Sequence, residues 1–460
     1  MAKSDVKKHG AIRIIAVIVV MAVVAIVIVI AFLLPGNGSI RFRSEKLATS
    51  TNIVVATSTT STPEPVSIVT HIAPPTAIKG IYFTSWAAGT PSFRKSLSNL
   101  LDGTILNAVV IDVKDYSGRI SFAIDDPEIS AIGSYEKRIP DIEEFIAELH
   151  KKGIYVIARV AVFQDPFLVK VKPKWAVVSS STGKPWKDSG GSFWVDPTNK
   201  EIWKYIVAIA RGSYAVGFDE INFDYIRFPS DGSVSTAVYS ALPKGSYIYK
   251  PIENISASST IVATSSKIVA TSTKLVATST RIFITGRSKV IRDFSAYLRS
   301  ELSMPISADL FGQVTSDTGD MGIGQVLENA MPYFDYIDPM VYPSHYINGF
   351  LGYEKPAKFP YEIVKYEMDQ AVARSIAASS SPLLMRPWLQ AFDLGAVYTS
   401  EMVRAQIRAT YDAGLTSWIL WNAGSVYDKS ALLTDPKPTA KILTKITNSA
   451  TNATSSSNLR

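Results

Sequence analysis

FDEINFDYIRFP, running from Phe218 to Pro229, is an apolar stretch that carries Asp224 and Arg227 towards its end. It predicts a buried strand of the parallel-sheet kind, Glu220–Phe228, whose end presents these two opposite charges. Either they form a structural salt bridge or they line a working site. The second reading gains weight because similar strands, each closing on polar or acidic residues, recur along the chain.

Eight such strands can be read: Ile81–Trp86, Ala108–Lys114, Tyr155–Val162, Glu220–Phe228, Ile306–Phe311, Tyr336–Val341, Leu383–Leu389 and Ser417–Trp421. Amphipathic helical stretches lie between them, at Ser92–Leu101, Ile142–Lys152, Lys200–Arg211, Ser288–Leu302, Gln325–Ala330, Tyr361–Ala377 and Ser400–Ala413. Thr198 and Glu201 stand in capping-box spacing at the third helix, and Gly153 and Gly414 follow two others as C-caps do. Eight strand–helix units predict a (β/α)8 TIM barrel. An open doubly wound sheet is the alternative, but FTSWAAGTP after the first strand lacks its glycine fingerprint.

At 460 residues, 47% hydrophobic, the chain can bury one large domain and still carry appendages. It contains no cysteine, which excludes disulfides, thiolate metal sites and a cysteine nucleophile. A net charge of +7 is modest for this length, so no nucleic-acid partner is expected. Ile14 to Leu34 is an apolar run long enough to cross a bilayer, with Lys3, Lys7, Lys8 and Arg13 before it. This predicts a cytoplasmic N-terminus (1–13), an uncleaved anchor (14–34) and everything beyond it outside the cytoplasm; a cleaved signal peptide is the competing reading.

Residues 35–77, rich in Ser, Thr and Pro, read as a flexible spacer, and 448–460 as a tail of the same kind. Within the expected barrel (78–447), the segment 230–285 contains IVATSSKIVATSTKLVATSTR, a repeat of seven residues headed by Ile261, Ile268 and Leu275. Its β-branched composition disfavours a coiled coil, so an exposed insertion is expected.

In a barrel the C-terminal strand ends share one mouth, so its lining can be read from the sequence. That lining comprises Asp112, Lys114 and Asp115, then Arg159 and Gln164, then Asn222, Asp224 and Arg227, then Asp309. Asp338, Tyr342 and His345 follow, then Arg386, Trp388 and Gln390, and finally Trp421 and Asn422. Several carboxylates ringed by aromatic and amide side chains suit carbohydrate chemistry, with acids for proton transfer and rings for stacking on sugars. His345 is the only histidine near the mouth, so no metal site is expected, nor any cofactor. Trp175, Trp186 and Trp194 on the loop after the third strand either form a lid or pack the loop onto the rim.

The pieces KGIYFTSW, NAVVIDVKDYSG, FWVDPTNKEIW, DEINFDYIRFP, SADLFG, DPMVYPSHY, RPWLQAF and WILWNAG together resemble a glycoside hydrolase-like family of bacterial proteins catalogued as a domain of unknown function. The resemblance covers Ile81 to Asn422 and implies a (β/α)8 barrel related to glycosidase barrels. Asp219, Asn222 and Asp224 also resemble the acidic strand of chitinase-type barrels, but Ile226 stands where their proton donor would be. In amylase-like barrels the nucleophile lies at the end of strand four, which Asp224 matches; the acid would then be Asp309, with Asp338 in reserve. Asp112, Lys114, Arg159, Asn222, Arg227, Tyr342, His345, Trp388, Gln390, Trp421 and Asn422 are the expected substrate-binding residues. Three classes stay open: a membrane-anchored hydrolase of cell-wall or extracellular polysaccharide, a carbohydrate-binding protein without turnover, and a structural envelope protein.

Overall fold

The computed structural model describes residues 69–245, 247–249 and 282–439. The expected anchor, most of the spacer, the whole of the seven-residue repeat and the tail lie outside the described residues. Among the described residues no helix is long and apolar enough to cross a membrane.

The barrel strands are β1 (Lys79–Phe83), β2 (Ala108–Lys114), β3 (Tyr155–Ala161), β4 (Glu220–Asp224), β5 (Ile306–Phe311), β6 (Tyr336–Val341), β7 (Trp388–Gln390) and β8 (Trp418–Trp421). All are parallel, each pairs with its neighbour in sequence, and β8 pairs with β1 (Ile81 opposite Leu420) to close the barrel. AVVIDVK in β2 and YVIARVA in β3 are buried at every position, because one face meets the barrel interior and the other the helices. Those helices are α1 (Pro91–Leu101), α2 (Ile142–Lys151), α3 (Lys200–Ala215), α4 (Gly286–Glu301), α5 (Leu327–Ala330), α6 (Pro360–Ala377) and α7 (Ser400–Asp412).

Element ends differ from expectation for local reasons. β4 stops at Asp224 because Tyr225 adopts a positive φ of 54°, which turns the chain out of the sheet. The seventh strand begins only at Trp388, since Pro382 opens a 3-10 turn and Pro387 has no N–H to give to a ladder. Trp86 leaves the first strand for a one-turn helix, Ser85–Ala88, capped by the Thr84 hydroxyl. α3 is capped by Asn199, which accepts from Glu201 N at 3.0 Å, and not by Thr198, whose hydroxyl is bonded to Asp196.

Two stretches expected to lie apart from the barrel are seated on it. Ile72 N donates to Asp219 Oδ1 at 2.7 Å and His71 stacks on Tyr214, so the end of the spacer covers the N-terminal end of the barrel. After β4, Ala237–Val238 pairs antiparallel with Val178–Ser179 in the β3 loop, and Ser240 N donates to Asp196. The backbones of Tyr247–Tyr249 and Ile282–Ile284 then pair antiparallel on either side of the repeat.

Candidate active site

Alternation along each strand sends every second side chain into the barrel. The deepest charged layer is Glu220, Asp338 and Arg386, all fully buried. Arg386 donates from Nε and Nη2 to the two oxygens of Asp338 (2.8 and 2.7 Å) and from Nη2 to Glu220 (2.6 Å). Burial pushes the Asp338 carboxyl up to about 6 against the pull of Arg386. Asn222 joins this layer to the next, its Nδ2 donating to Asp338 Oδ2 at 3.0 Å and to Asp309 Oδ1 at 2.8 Å.

The upper layer is built around Arg159 on β3. Its guanidinium donates to Asp112 Oδ1 at 2.6 Å and to Asp224 Oδ2, and its Nε lies 3.8 Å from Asp309 Oδ2. Asp112 also accepts from the Tyr82 hydroxyl. Tyr82 stacks on Trp421 at 3.9 Å between ring centres, and Arg159 lies over both rings. Asp309 is held differently. Its Oδ1 takes two donors, Asn222 and Trp388 Nε1 (2.7 Å), which leaves Oδ2 as the oxygen able to carry a proton. Burial, reinforced by the charges of Asp224 and Asp338, pushes its carboxyl well above the usual range. Asp224, 5% exposed, has its Oδ1 on Tyr225 N at 2.5 Å.

Above these groups a cleft of about 560 Å³ is lined by His345, Phe392, Asp393, Trp421, Asn422 and Gly424. Tyr342 is buried beneath His345, edge-on to it at 5.2 Å. Gln390 is buried and bonds Phe392 O and Ser344 N, while Asn422 bonds Ala391 O and Gly424 N; both hold the β6–β8 loops that wall the cleft.

The structure thus brings together Asp112, Arg159, Asn222, Asp224, Asp309, Asp338 and Trp388 inside the barrel, with Tyr342, His345, Trp421 and Asn422 above. Two of the expected substrate-binding residues stand elsewhere, as do Asp115 on Arg138 and Gln164 on Asp188 from the wider lining. A register shift between Asp112 and Lys114 turns Lys114 away, into a buried ion pair with Asp165 (2.9 Å). Arg227 does not pair with Asp224; it lies over the rings of Trp194, Tyr225 and Phe311 and donates to Phe228 O and Ser230 Oγ. Asp219 lies at the opposite end of the barrel, bonded to Ile72 N and Val156 N. Trp186 and Trp194 are buried in the β3 loop. Tyr82 and Glu220 are interior residues absent from the expected lining, although each shares a strand face with a neighbour two positions away.

Residues 80–427 match the family model described as "Putative glycosyl hydrolase domain". The chain belongs to this family. Among solved structures it is similar to the glycoside hydrolase domain of PgaB (BpsB) from Bordetella bronchiseptica, at 16% identity over 76% of this chain and 95% of that one, with a TM-score of 0.51. A hypothetical protein from Ruminiclostridium thermocellum is 28% identical over 50% of this chain and 96% of its own, with a TM-score of 0.38. No curated protein matches the chain. Family and fold together support a glycoside hydrolase.

The deep layer makes a stability prediction. Arg386→Met strands Glu220 and Asp338 without a counter-charge, and should cost about 3–5 kcal/mol of unfolding free energy at neutral pH. The loss should shrink as pH falls through the raised Asp338 range, where the neutral acid no longer needs the guanidinium. Urea titrations of both proteins at several pH values check this; a neutral-pH loss below about 1 kcal/mol would contradict the role given to Arg386.

Proposed function

We propose that this protein is a membrane-anchored, extracytoplasmic glycoside hydrolase that cleaves a cell-wall or extracellular polysaccharide with Asp309 as general acid and Asp224 as nucleophile or charge stabiliser. The observation that carries the reading is the unlike treatment of two carboxyls around one guanidinium. Asp224 accepts a hydrogen bond from Arg159, whereas Asp309 is driven towards its neutral form and its Oδ2 takes no hydrogen bond, the Arg159 Nε standing 3.8 Å away. A glycosidic bond needs both a proton for the departing oxygen and a negative charge for the oxocarbenium-like centre. Asp309 Oδ2 supplies the first and Asp224 the second. Asp338 lies a layer deeper on Arg386, which suits it to holding Asn222 rather than reaching a substrate.

Trp421, backed by the buried Tyr82, offers an aromatic surface of the cleft to a sugar ring, and His345, Asp393 and Asn422 offer polar contacts for its hydroxyls. The anchor reading rests on the apolar run Ile14–Leu34. It accords with the described chain, which enters at the barrel end opposite the mouth.

A second reading, glycan binding without turnover, is favoured by one observation: both oxygens of Asp224 already have partners. A reducing-end assay over a glycan panel separates the two.

For the hydrolase, Asp224→Asn should lower kcat by on the order of a thousandfold or more while glycan affinity holds, because the amide keeps the shape and loses the charge. Asp309→Asn should harm substrates with poor leaving groups more than activated aryl glycosides, and the parent's activity should fall on the alkaline side as Asp309 gives up its proton. An Asp224→Asn protein with undiminished turnover would remove the assignment. Protease added to intact cells should release the barrel from the membrane fraction; recovery of a shortened soluble form without protease would instead indicate a cleaved signal.

A further inference from the structure

The one-turn helix after β1 buries three of its four residues, Ser85, Ala87 and Ala88, and leaves Trp86 57% exposed. Beneath the indole lies the Arg138 guanidinium, 4.7 Å from the ring centre. Arg138 cannot swing away. It makes five hydrogen bonds: from Nε and Nη2 to Glu136 Oε2, from Nη1 to Asp115 Oδ2 and Ser85 Oγ, and from Nη2 to Ser117 Oγ. The turn is pressed onto the Arg138 backbone so closely that a Cβ on Gly89 would come within 2.0 Å of Arg138 O. The tryptophan is therefore held over a clamped cation and stays more than half exposed.

The next loop presents a second exposed ring. In the turn after β2, Asp115 is buried with its Oδ1 on Ser117, and Gly118 at φ 81° closes the turn, while Tyr116 between them is 64% exposed. Ser85 and Asp115 share Arg138 Nη1, so Trp86 and Tyr116 each directly follow a residue fixed by the same nitrogen. Both stand on the rim above β1 and β2, the strands that carry Tyr82 and Asp112.

We propose that Trp86, with Tyr116 beside it, forms a stacking platform on the rim for a pyranose ring of a glycan chain, apart from the acid pair. This rests on the reading of the barrel as a glycan site and adds a subsite on the rim that engages a sugar of the chain away from the acid pair. A fixed aromatic plane matches the C–H face of a pyranose, and pre-organisation removes the entropy cost of ordering the ring on binding. The Glu136 carboxylate, 37% exposed at the edge of the clamp, is available to equatorial hydroxyls. An exposed ring serving only to cover the core would not need five hydrogen bonds beneath it.

The test uses full-length protein labelled with 5-fluorotryptophan, the Trp86 signal being assigned by its loss in Trp86→Phe. Cellohexaose, chitohexaose and maltohexaose are titrated in, each against its monosaccharide. At least one hexasaccharide should shift the Trp86 signal where its monosaccharide does not, and Trp86→Ala should weaken that hexasaccharide by about tenfold, Tyr116→Ala by less. Arg138→Met, with its melting temperature measured beside it, should weaken binding by a similar factor because the ring is no longer held. A Trp86 signal unmoved by all three hexasaccharides, or an unchanged affinity in Trp86→Ala, overturns the platform. Failure of the platform and failure of the hydrolase reading are separable. The titration needs no turnover, and turnover of a glycan with a silent Trp86 would sink the platform alone.

Discussion

Arg159 is the charge around which the upper half of the barrel is arranged. A guanidinium taken out of water costs several kcal/mol unless its hydrogen bonds and its charge are answered on the spot. Here Asp112 and Asp224 answer from β2 and β4, and Asp309 faces it from β5. The surplus of acid over base is what matters chemically. Among these three carboxyls Asp309 is the most enclosed, and burial, with the charges of Asp224 and Asp338, raises its carboxyl against the pull of Arg159, which is the direction the proposed general acid requires.

The lower layer serves that arrangement at one remove. Arg386 gathers Glu220 and Asp338, and Asn222 spans from Asp338 up to Asp309. Trp388 contributes the second donor to the same Asp309 oxygen. Three strands thereby fix which oxygen of Asp309 is occupied and which is left facing Arg159. Much of a barrel interior that could have been filled with Val, Ile and Leu is given over to polar groups whose desolvation is offset only by mutual pairing. Such a network tolerates little truncation.

Much of this was legible before the structure. The eight strands, their order and most of the interior acids follow from apolar runs broken at every second position by Asp, Asn or Arg, as in VIDV, NFD and SADL. What stayed hidden has identifiable causes. A bulge after Asp112 rotates Lys114 out of the lining, and nothing in AVVIDVK marks it. The partner of Asp224 is 65 residues away in sequence while Arg227 is three, so adjacency suggested the wrong pair. Glu220 and Tyr82 were open to discovery by the same two-residue alternation that exposed Asp224, had it been extended inward from the strand ends. The positive φ at Tyr225, which ends β4 and aims Asp224, has no sequence marker because the residue there is not glycine.

The proposed hydrolysis requires Asp309 to be a neutral acid beside an ion-paired Asp224. Difference infrared spectroscopy of the unliganded protein against Asp309→Asn near neutral pH reads this directly. The parent should show a protonated-carboxyl carbonyl band that the substitution removes, and the band should persist well above the usual carboxylate range as pH is raised. Finding only ionised carboxylate at Asp309 would contradict it, since no proton would then be poised for the leaving oxygen.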